Sequence, residues 1–308
     1  MAVKPLLVST LMLGAAGLAD AQPCAVDDLG RKVCLEAPAA RIAALSPGAT
    51  ELAFAAGAGD KVVAVVEHSD YPPPARKLPS VGDYSRIDLE ALVELAPELV
   101  IGWVTGNPEE QLETLQSLDM AVFYVEPRTV EGVASALERL AHLAGSDAVG
   151  QREAEHFREG MAALDARYAD RAPVSVFYQV WDAPLMSLND EHLIGRAIRR
   201  CGGINVFGDQ PRLVPRLDDE AVLKANPEVI ITGSTDADSN VETHGKKPVR
   251  NDWLVHWQQY PSMAAVAAGH LYTVPADPLV RPTPRFLQGA QSLCERIELV
   301  REKQARAE

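Results

Sequence analysis

The sequence predicts an α/β protein of two Rossmann-like lobes with mostly parallel sheets, joined by one long bridging helix. Three observations predict it. Residues 146–171 carry Ala154, Phe157, Met161, Leu164 and Tyr168 at steps of 3, 4, 3 and 4, one apolar stripe on an otherwise charged helix. About 24 such residues make a rod of about 36 Å, long for a helix packed inside one small domain. Finally, the chain repeats itself on either side of that rod. LEALVELAPELVI at 89–101 and DEAVLKANPEVII at 219–231 each read as a short helix, a Pro-Glu turn and a buried strand. Glu90 and Glu220 hold the same place in the two copies.

Taken in order, residues 1–21 are a signal peptide. Lys4 gives the positive start, 6–18 the short apolar stretch, and Ala19-Asp20-Ala21 the small-residue cleavage site. That stretch is too short to span a bilayer, so a soluble exported chain beginning at Gln22 is expected. Cys24 lacks the context of a lipidated cysteine. The N-terminal lobe is assigned to 22–145, the bridging helix to 146–172 and the C-terminal lobe to 173–308.

Within the first lobe, 41–45 is a buried strand and Ser46-Pro47 opens a helix that Gly57 closes. Residues 62–66 form a strand ending in the polar, aromatic loop Glu67-His68-Ser69-Asp70-Tyr71. Asp88 caps the first repeated helix, 99–103 is its strand, and a helix to about residue 118, a strand at 121–125 and a helix at 129–143 follow. Ser146 or Asp147 caps the bridging helix and Pro173 lies past its end. The second lobe restarts with a strand at 174–180, a loop at 181–190 and a helix at 191–200. Asp218 caps the second repeated helix and 229–232 is its strand. A polar loop spans 233–252, then come a helix at 253–265, a strand at 271–274, a proline-rich loop at 275–284 and a final helix from 285 to about 303. Strands alternate with helices, so the sheets are expected to be parallel.

A formal charge of −14 with no basic stripe excludes a nucleic-acid partner. Four cysteines in an exported chain suggest two disulfides, for which three pairings exist. Cys24 and Cys34 flank the turn signal Asp27-Asp28-Leu29-Gly30 and are expected to close a hairpin, leaving Cys201 with Cys294. No Cys-x-x-Cys pair supports zinc.

In parallel α/β sheets, ligands sit outside the carboxyl ends of the strands. Those ends carry His68, Tyr71, Tyr84 and Trp103 in the first lobe, and Tyr178, Trp181, Met186, Asp277 and Arg281 in the second. Several aromatics with few charges suit a large, flat, mostly uncharged ligand with amide edges. Trp253 and Trp257 sit on a helical pattern and are read as core. No Gly-x-Ser-x-Gly elbow, phosphate loop or His-Glu-x-x-His occurs, so the chain is not read as an enzyme. An exported metal-dependent enzyme is the rival class, supported only by His68 and scattered acids.

Across the whole mature chain the text resembles the periplasmic substrate-binding proteins of iron-siderophore, haem and cobalamin ABC importers, class III binding proteins with two α/β lobes bridged by one rigid helix. Asp27-Asp28-Leu29-Gly30-Arg31, the segment 41–47 and the two Pro-Glu turns are general to that family. LSPGATELAFAAG at 45–57, Ser69-Asp70-Tyr71-Pro72-Pro73, and Cys201-Gly202-Gly203 with Cys294 are similar to its cobalamin-binding branch. The resemblance implies cobalamin as the transported ligand, with no catalytic cofactor, and haem or a ferric siderophore as the alternative cargo. It implies that His68, Tyr84 and Trp103 line the corrinoid from the first lobe, and Val180, Met186, Asp277 and Arg281 from the second. Trp181 stands in where the best-known member has aromatics at the places of Val180, Met186 and Val214, and His68 stands where it has a tyrosine. A histidine there reaches toward cobalt or iron as an axial ligand. The same resemblance implies that Glu90 and Glu220 dock a monomeric protein onto arginines of the permease, which works with an ATPase at the inner membrane.

Overall fold

The computed structural model describes residues 22–234 and 252–307. The expected signal peptide and nearly all of the polar loop 233–252 lie outside the described residues. A hairpin opens the chain, β1 (Cys24–Val26) against β2 (Lys32–Cys34), with Cys24 directly opposite Cys34. The first lobe then runs β3 (Ile42–Ala44), α1 (Pro47–Ala53), β4 (Val62–Ala64), the small hairpin β5 (Gly82–Asp83) and β6 (Arg86–Ile87), α2 (Leu89–Glu94), β7 (Leu99–Trp103), α3 (Glu109–Ser117), β8 (Ala121–Val125) and α4 (Val130–Ala144). The bridging helix is α5 (Asp147–Tyr168). The second lobe comprises β9 (Val174–Gln179), the hairpin β10 (Trp181–Asp182) and β11 (Leu185–Met186), α6 (Leu193–Arg200), β12 (Gly203–Asn205), α7 (Asp219–Ala225), β13 (Val229–Ser234), α8 (Asp252–Trp257), α9 (Ala264–Ala267), β14 (Leu271–Pro275), α10 (Ala276–Val280) and α11 (Phe286–Ala307).

Each lobe has one four-stranded parallel sheet, ordered β4-β3-β7-β8 and β12-β9-β13-β14. Read within each lobe, both orders are second-first-third-fourth, so the duplication seen in the text is a duplication of topology. It extends to single atoms. Asp88 and Asp218 cap α2 and α7, accepting from Ala91 N at 3.0 Å and Ala221 N at 2.8 Å. The glutamate of each Pro-Glu turn reaches the entry of its lobe's first strand. Glu98 accepts from Ala40 N and Glu228 from Ser175 N, both at 2.6 Å. Partly buried Glu228 titrates below the usual carboxylate range; burial opposes that shift, but bonds from Ser175 and Gln304 outweigh it.

The stripe Ala154, Phe157, Met161, Leu164 and Tyr168 is buried along α5, in one apolar core continuous with both lobes. At about 33 Å, α5 is the predicted rod, ending at Tyr168 a few residues short of the expected end. Ser146 stands at its N-cap position, but neither candidate side chain makes a capping bond. Ser146 instead donates its hydroxyl to Ala56 O at 2.7 Å, and Asp147 pairs with His142 at 3.0 Å. The chain turns from α4 into α5 at Gly145, whose φ of 70° suits glycine. At Gly150 a Cβ would stand 2.2 Å from the Ala141 Cβ, so only glycine lets the two helices approach this closely. Both predicted disulfides are present, Cys24–Cys34 and Cys201–Cys294.

Several local expectations are corrected. Gly57 does close the first helix as expected, breaking it with a left-handed φ of 81° at a kink, but the helix reaches it through a wider turn from Phe54. The helix expected at 253–265 is two helices, because Pro261 cannot donate to a helical ladder. The 181–190 loop contains the β10–β11 hairpin, and the proline-rich loop contains α10. Edge strand β12 was hidden in the sequence by Cys201-Gly202-Gly203, which reads as a helix stop.

Candidate functional site

With strand order second-first-third-fourth, connections leave the sheet in opposite directions on either side of the first and third strands. The crevice at their carboxyl ends is the fold's natural ligand position. In the first lobe those ends are Ser46-Pro47 after β3 and Trp103 closing β7. A cavity of about 280 Å³ lies there, and Pro47, His68, Tyr84, Trp103, Val280 and Arg281 are among its walls. Tyr84 and Trp103 stand with ring centroids 5.6 Å apart at 57°. Tyr84 is 42% exposed, an aromatic left uncovered by the protein's own core.

Asn107, buried and not singled out by sequence reasoning, fastens these loops together. Its Oδ1 accepts from Trp103 N at 2.7 Å, while its Nδ2 donates to Leu45 O and Tyr84 O, both at 2.8 Å. One side chain thus ties the end of β3, the Tyr84 turn and the end of β7. A polar residue closing a strand-end loop was its only signal in the text. His68 takes φ 63°, the left-handed region. Ser69 beside it is buried and its hydroxyl accepts from Thr50 Oγ1 at 3.1 Å. Among the described residues no hydrogen bond or ion pair engages the His68 ring, whereas His142, His192, His256 and His270 all have partners.

Arg281 lines the cavity, but its charge is already used. Nη1 meets Glu51 Oε1 at 2.9 Å and Asp70 Oδ1 at 3.2 Å, and Nη2 meets Asp277 Oδ2 at 3.1 Å. Although burial pushes it down, the guanidinium pKa is held above its ordinary value by these acids, Glu51 first. Glu51 is the centre of the cluster. Only 3% exposed on α1, it also accepts from Arg285 Nη1 at 2.9 Å and Thr283 Oγ1 at 2.8 Å, so one acid of the first lobe holds three residues of the second. Sequence reasoning missed it, though an acid on the core-facing side of an alanine-rich helix was the available clue.

The remaining candidates divide. Asp277 acts on Arg281 rather than lining this cavity. Val180, Trp181 and Met186 lie outside it, on the β10–β11 segment, where Val180 N donates to Met186 O at 3.0 Å. Trp181 is 51% exposed and packs edge-on against Trp253, with ring centroids 5.8 Å apart. Trp253 is therefore half-buried, while Trp257 alone of the pair is core. Tyr71 turns away beneath the Arg285 guanidinium, 3.9 Å from its ring centre, toward a separate cavity beside α5. Tyr178 is fully buried within β9, and burial pushes its phenol far up. Glu90 and Glu220 are exposed in the first turns of α2 and α7.

Past a shared wall of Trp103, Pro127, Val280 and Pro282, the crevice continues into a second chamber of about 280 Å³. Its lining adds Glu126, Arg128, Glu191, His192 and Val214, and is more polar. Among the described residues no group of three or more His, Cys, Asp or Glu is placed to hold a metal ion, and no helix is long and apolar enough to cross a membrane.

Residues 42–278 match the family model described as periplasmic binding protein. The vitamin B12-binding protein of Vibrio cholerae serotype O1 is 35% identical over 267 residues, covering 86% of this chain and 92% of that protein. The crystal structure of the periplasmic vitamin B12 binding protein of Vibrio cholerae superposes with a TM-score of 0.73 at 34% identity, over 86% of this chain and 98% of that one. The periplasmic heme binding protein of the same organism has a TM-score of 0.70 at 21% identity, over 83% and 97%, a likeness of fold alone.

Proposed function

The chain belongs to the periplasmic binding protein family, and from that premise we propose that it captures cobalamin or a related corrinoid between its lobes and delivers it to an ABC importer. In this reading it is exported and works in the periplasm, where the name of its Vibrio cholerae B12-binding relative places that protein, and it acts as a monomer that binds without turnover. The observation that carries the reading is the cavity at the switch point. Its aromatic wall, Tyr84 against Trp103, offers flat apolar surface, and its one arginine is neutralised by Glu51, Asp70 and Asp277. A large neutral macrocycle fits that balance of charge. Haem, with two carboxylates, and anionic siderophores need free cations that Arg281 does not supply. What favours haem as the second reading is His68, whose ring nitrogens are uncommitted on the cavity wall. In the corrinoid reading the same ring is the axial contact to cobalt. Val180, Trp181 and Met186 then meet the outer edge of the ligand from the second lobe.

Glu90 and Glu220 complete the function. They sit one residue past the first helical position of two topologically equivalent helices and are exposed in both lobes. One acid per lobe gives two anchors for a two-fold permease partner.

The test is a visible absorption titration of the disulfide-intact protein with aquocobalamin, cyanocobalamin and haem, repeated with His68→Ala. Tight one-to-one binding of both cobalamins is expected. The aquocobalamin spectrum shifts because its water exchanges for His68, and that shift disappears in His68→Ala. Binding of haem alone overturns the corrinoid reading.

A further inference from the structure

The second chamber contains a histidine to which the sequence assigned no role. His192 is the N-cap of α6, and its Nδ1 accepts from Ile194 N at 3.1 Å. A ring nitrogen that accepts carries no proton, so in the neutral ring the proton is on Nε2. The ring stays neutral in ordinary buffers: burial, reinforced by the nearby Arg128 charge, lowers its pKa to about 4. Nε2 has no hydrogen-bond partner among the described residues, and His192 lines the chamber.

Building on the corrinoid reading, we infer that His192 is a ligand-binding residue of this chamber, donating Nε2–H to a carboxamide oxygen on the rim of the bound molecule. The charges around it select that chemistry. Arg128 is accompanied by Glu126, 3.8 Å away, and by Glu191, so the chamber has no net positive charge to hold a carboxylate or phosphate. A fixed neutral donor suits a neutral acceptor, and carboxamides are what a corrin ring carries around its edge. The donor costs the protein little reorganisation, because the helix cap holds the ring in one tautomer before the ligand arrives.

The test is equilibrium titration of the exported, disulfide-intact chain with cyanocobalamin, alongside thermal unfolding, for wild type, His192→Asn and His192→Gln. Asparagine keeps a strong helix cap but is too short to bring a donor to the Nε2 position. Glutamine carries its amide nitrogen about as far as Nε2. Affinity is expected to fall about five- to tenfold in His192→Asn at an unchanged melting temperature, and to recover in His192→Gln. Equal affinity in wild type and His192→Asn overturns the inference alone. So does a loss of affinity in both variants that follows a loss of thermal stability, which marks a capping role only. Wild type that binds no cobalamin overturns the functional reading and this inference with it.

Discussion

Replacing Glu51 by alanine is expected to destabilise the protein by about 3–5 kcal/mol, because it leaves two arginines of the opposite lobe with a buried partner missing. The Glu51 side chain is 2% exposed and takes both Arg281 and Arg285 on one oxygen at 2.9 Å and Thr283 on the other at 2.8 Å. Hydrogen bonds to a charged group contribute about 1.5–3 kcal/mol each, and three of them act on one group, so they do not simply add. What remains compensates in part. Arg281 keeps Asp70 and Asp277, but those carboxylates are 49% and 40% exposed and are screened by water. Arg285 keeps the Tyr71 ring at 3.9 Å. Glu51→Gln preserves an acceptor for Thr283 and is expected to cost about 2–3 kcal/mol. At about 2 °C per kcal/mol for a chain of this size, thermal unfolding of Glu51→Ala should begin about 6–10 °C lower. Circular dichroism with urea titration at pH 7 measures it. A loss below about 1 kcal/mol for the alanine variant refutes the argument, since it means the interlobe cluster is already open to solvent.

Joint replacement of Glu90 and Glu220 by alanine should abolish ligand uptake by intact cells and leave ligand affinity unchanged. Uptake at the wild-type rate would remove these residues from the docking surface. Removing the Cys201–Cys294 disulfide, which closes a separation of 93 residues, should cost about 4–5 kcal/mol on chain-entropy grounds, against about 3 kcal/mol for Cys24–Cys34 with its separation of 10; urea unfolding of the two double-alanine variants ranks them. His192 contributes a pH dependence whose sign is fixed. Its native pKa of about 4 lies below the unfolded value near 6.5, so between those values the unfolded chain alone binds the proton. Stability should therefore rise with pH across that window by at most about 3 kcal/mol, and His192→Asn should flatten that part of the curve. An unaltered profile in the variant would show that the ring is solvated in the native state.

Much of this fold was legible because its determinants are local. The stripe of α5 is a repeat within one helix, and the caps Asp88 and Asp218 act within three residues of themselves. The two matching segments announced the duplication because each folds as the same helix-turn-strand unit. Glu98 and Glu228 then serve the same strand entry in each lobe. The first lobe's share of the cavity lining was legible too: His68, Tyr84 and Trp103 follow strand ends, and strand ends meet at a predictable crevice.

What the tertiary structure alone decided was direction and partnership. Tyr178 reads as a strand-end aromatic, yet β9 lies in a sheet covered on both faces and every side chain near its end is enclosed. Tyr71 follows His68 by three residues, but Arg285 draws it to the opposite side of the cluster. Glu51 and Arg281 are 230 residues apart, and no pattern along the chain joins them; docking the two lobes across α5 brings them together and turns an apparent ligand-binding cation into a neutralised one. Periodicity records which face of an element is buried. It does not record which residues of a distant element arrive on that face, and that meeting sets the charge of the cleft.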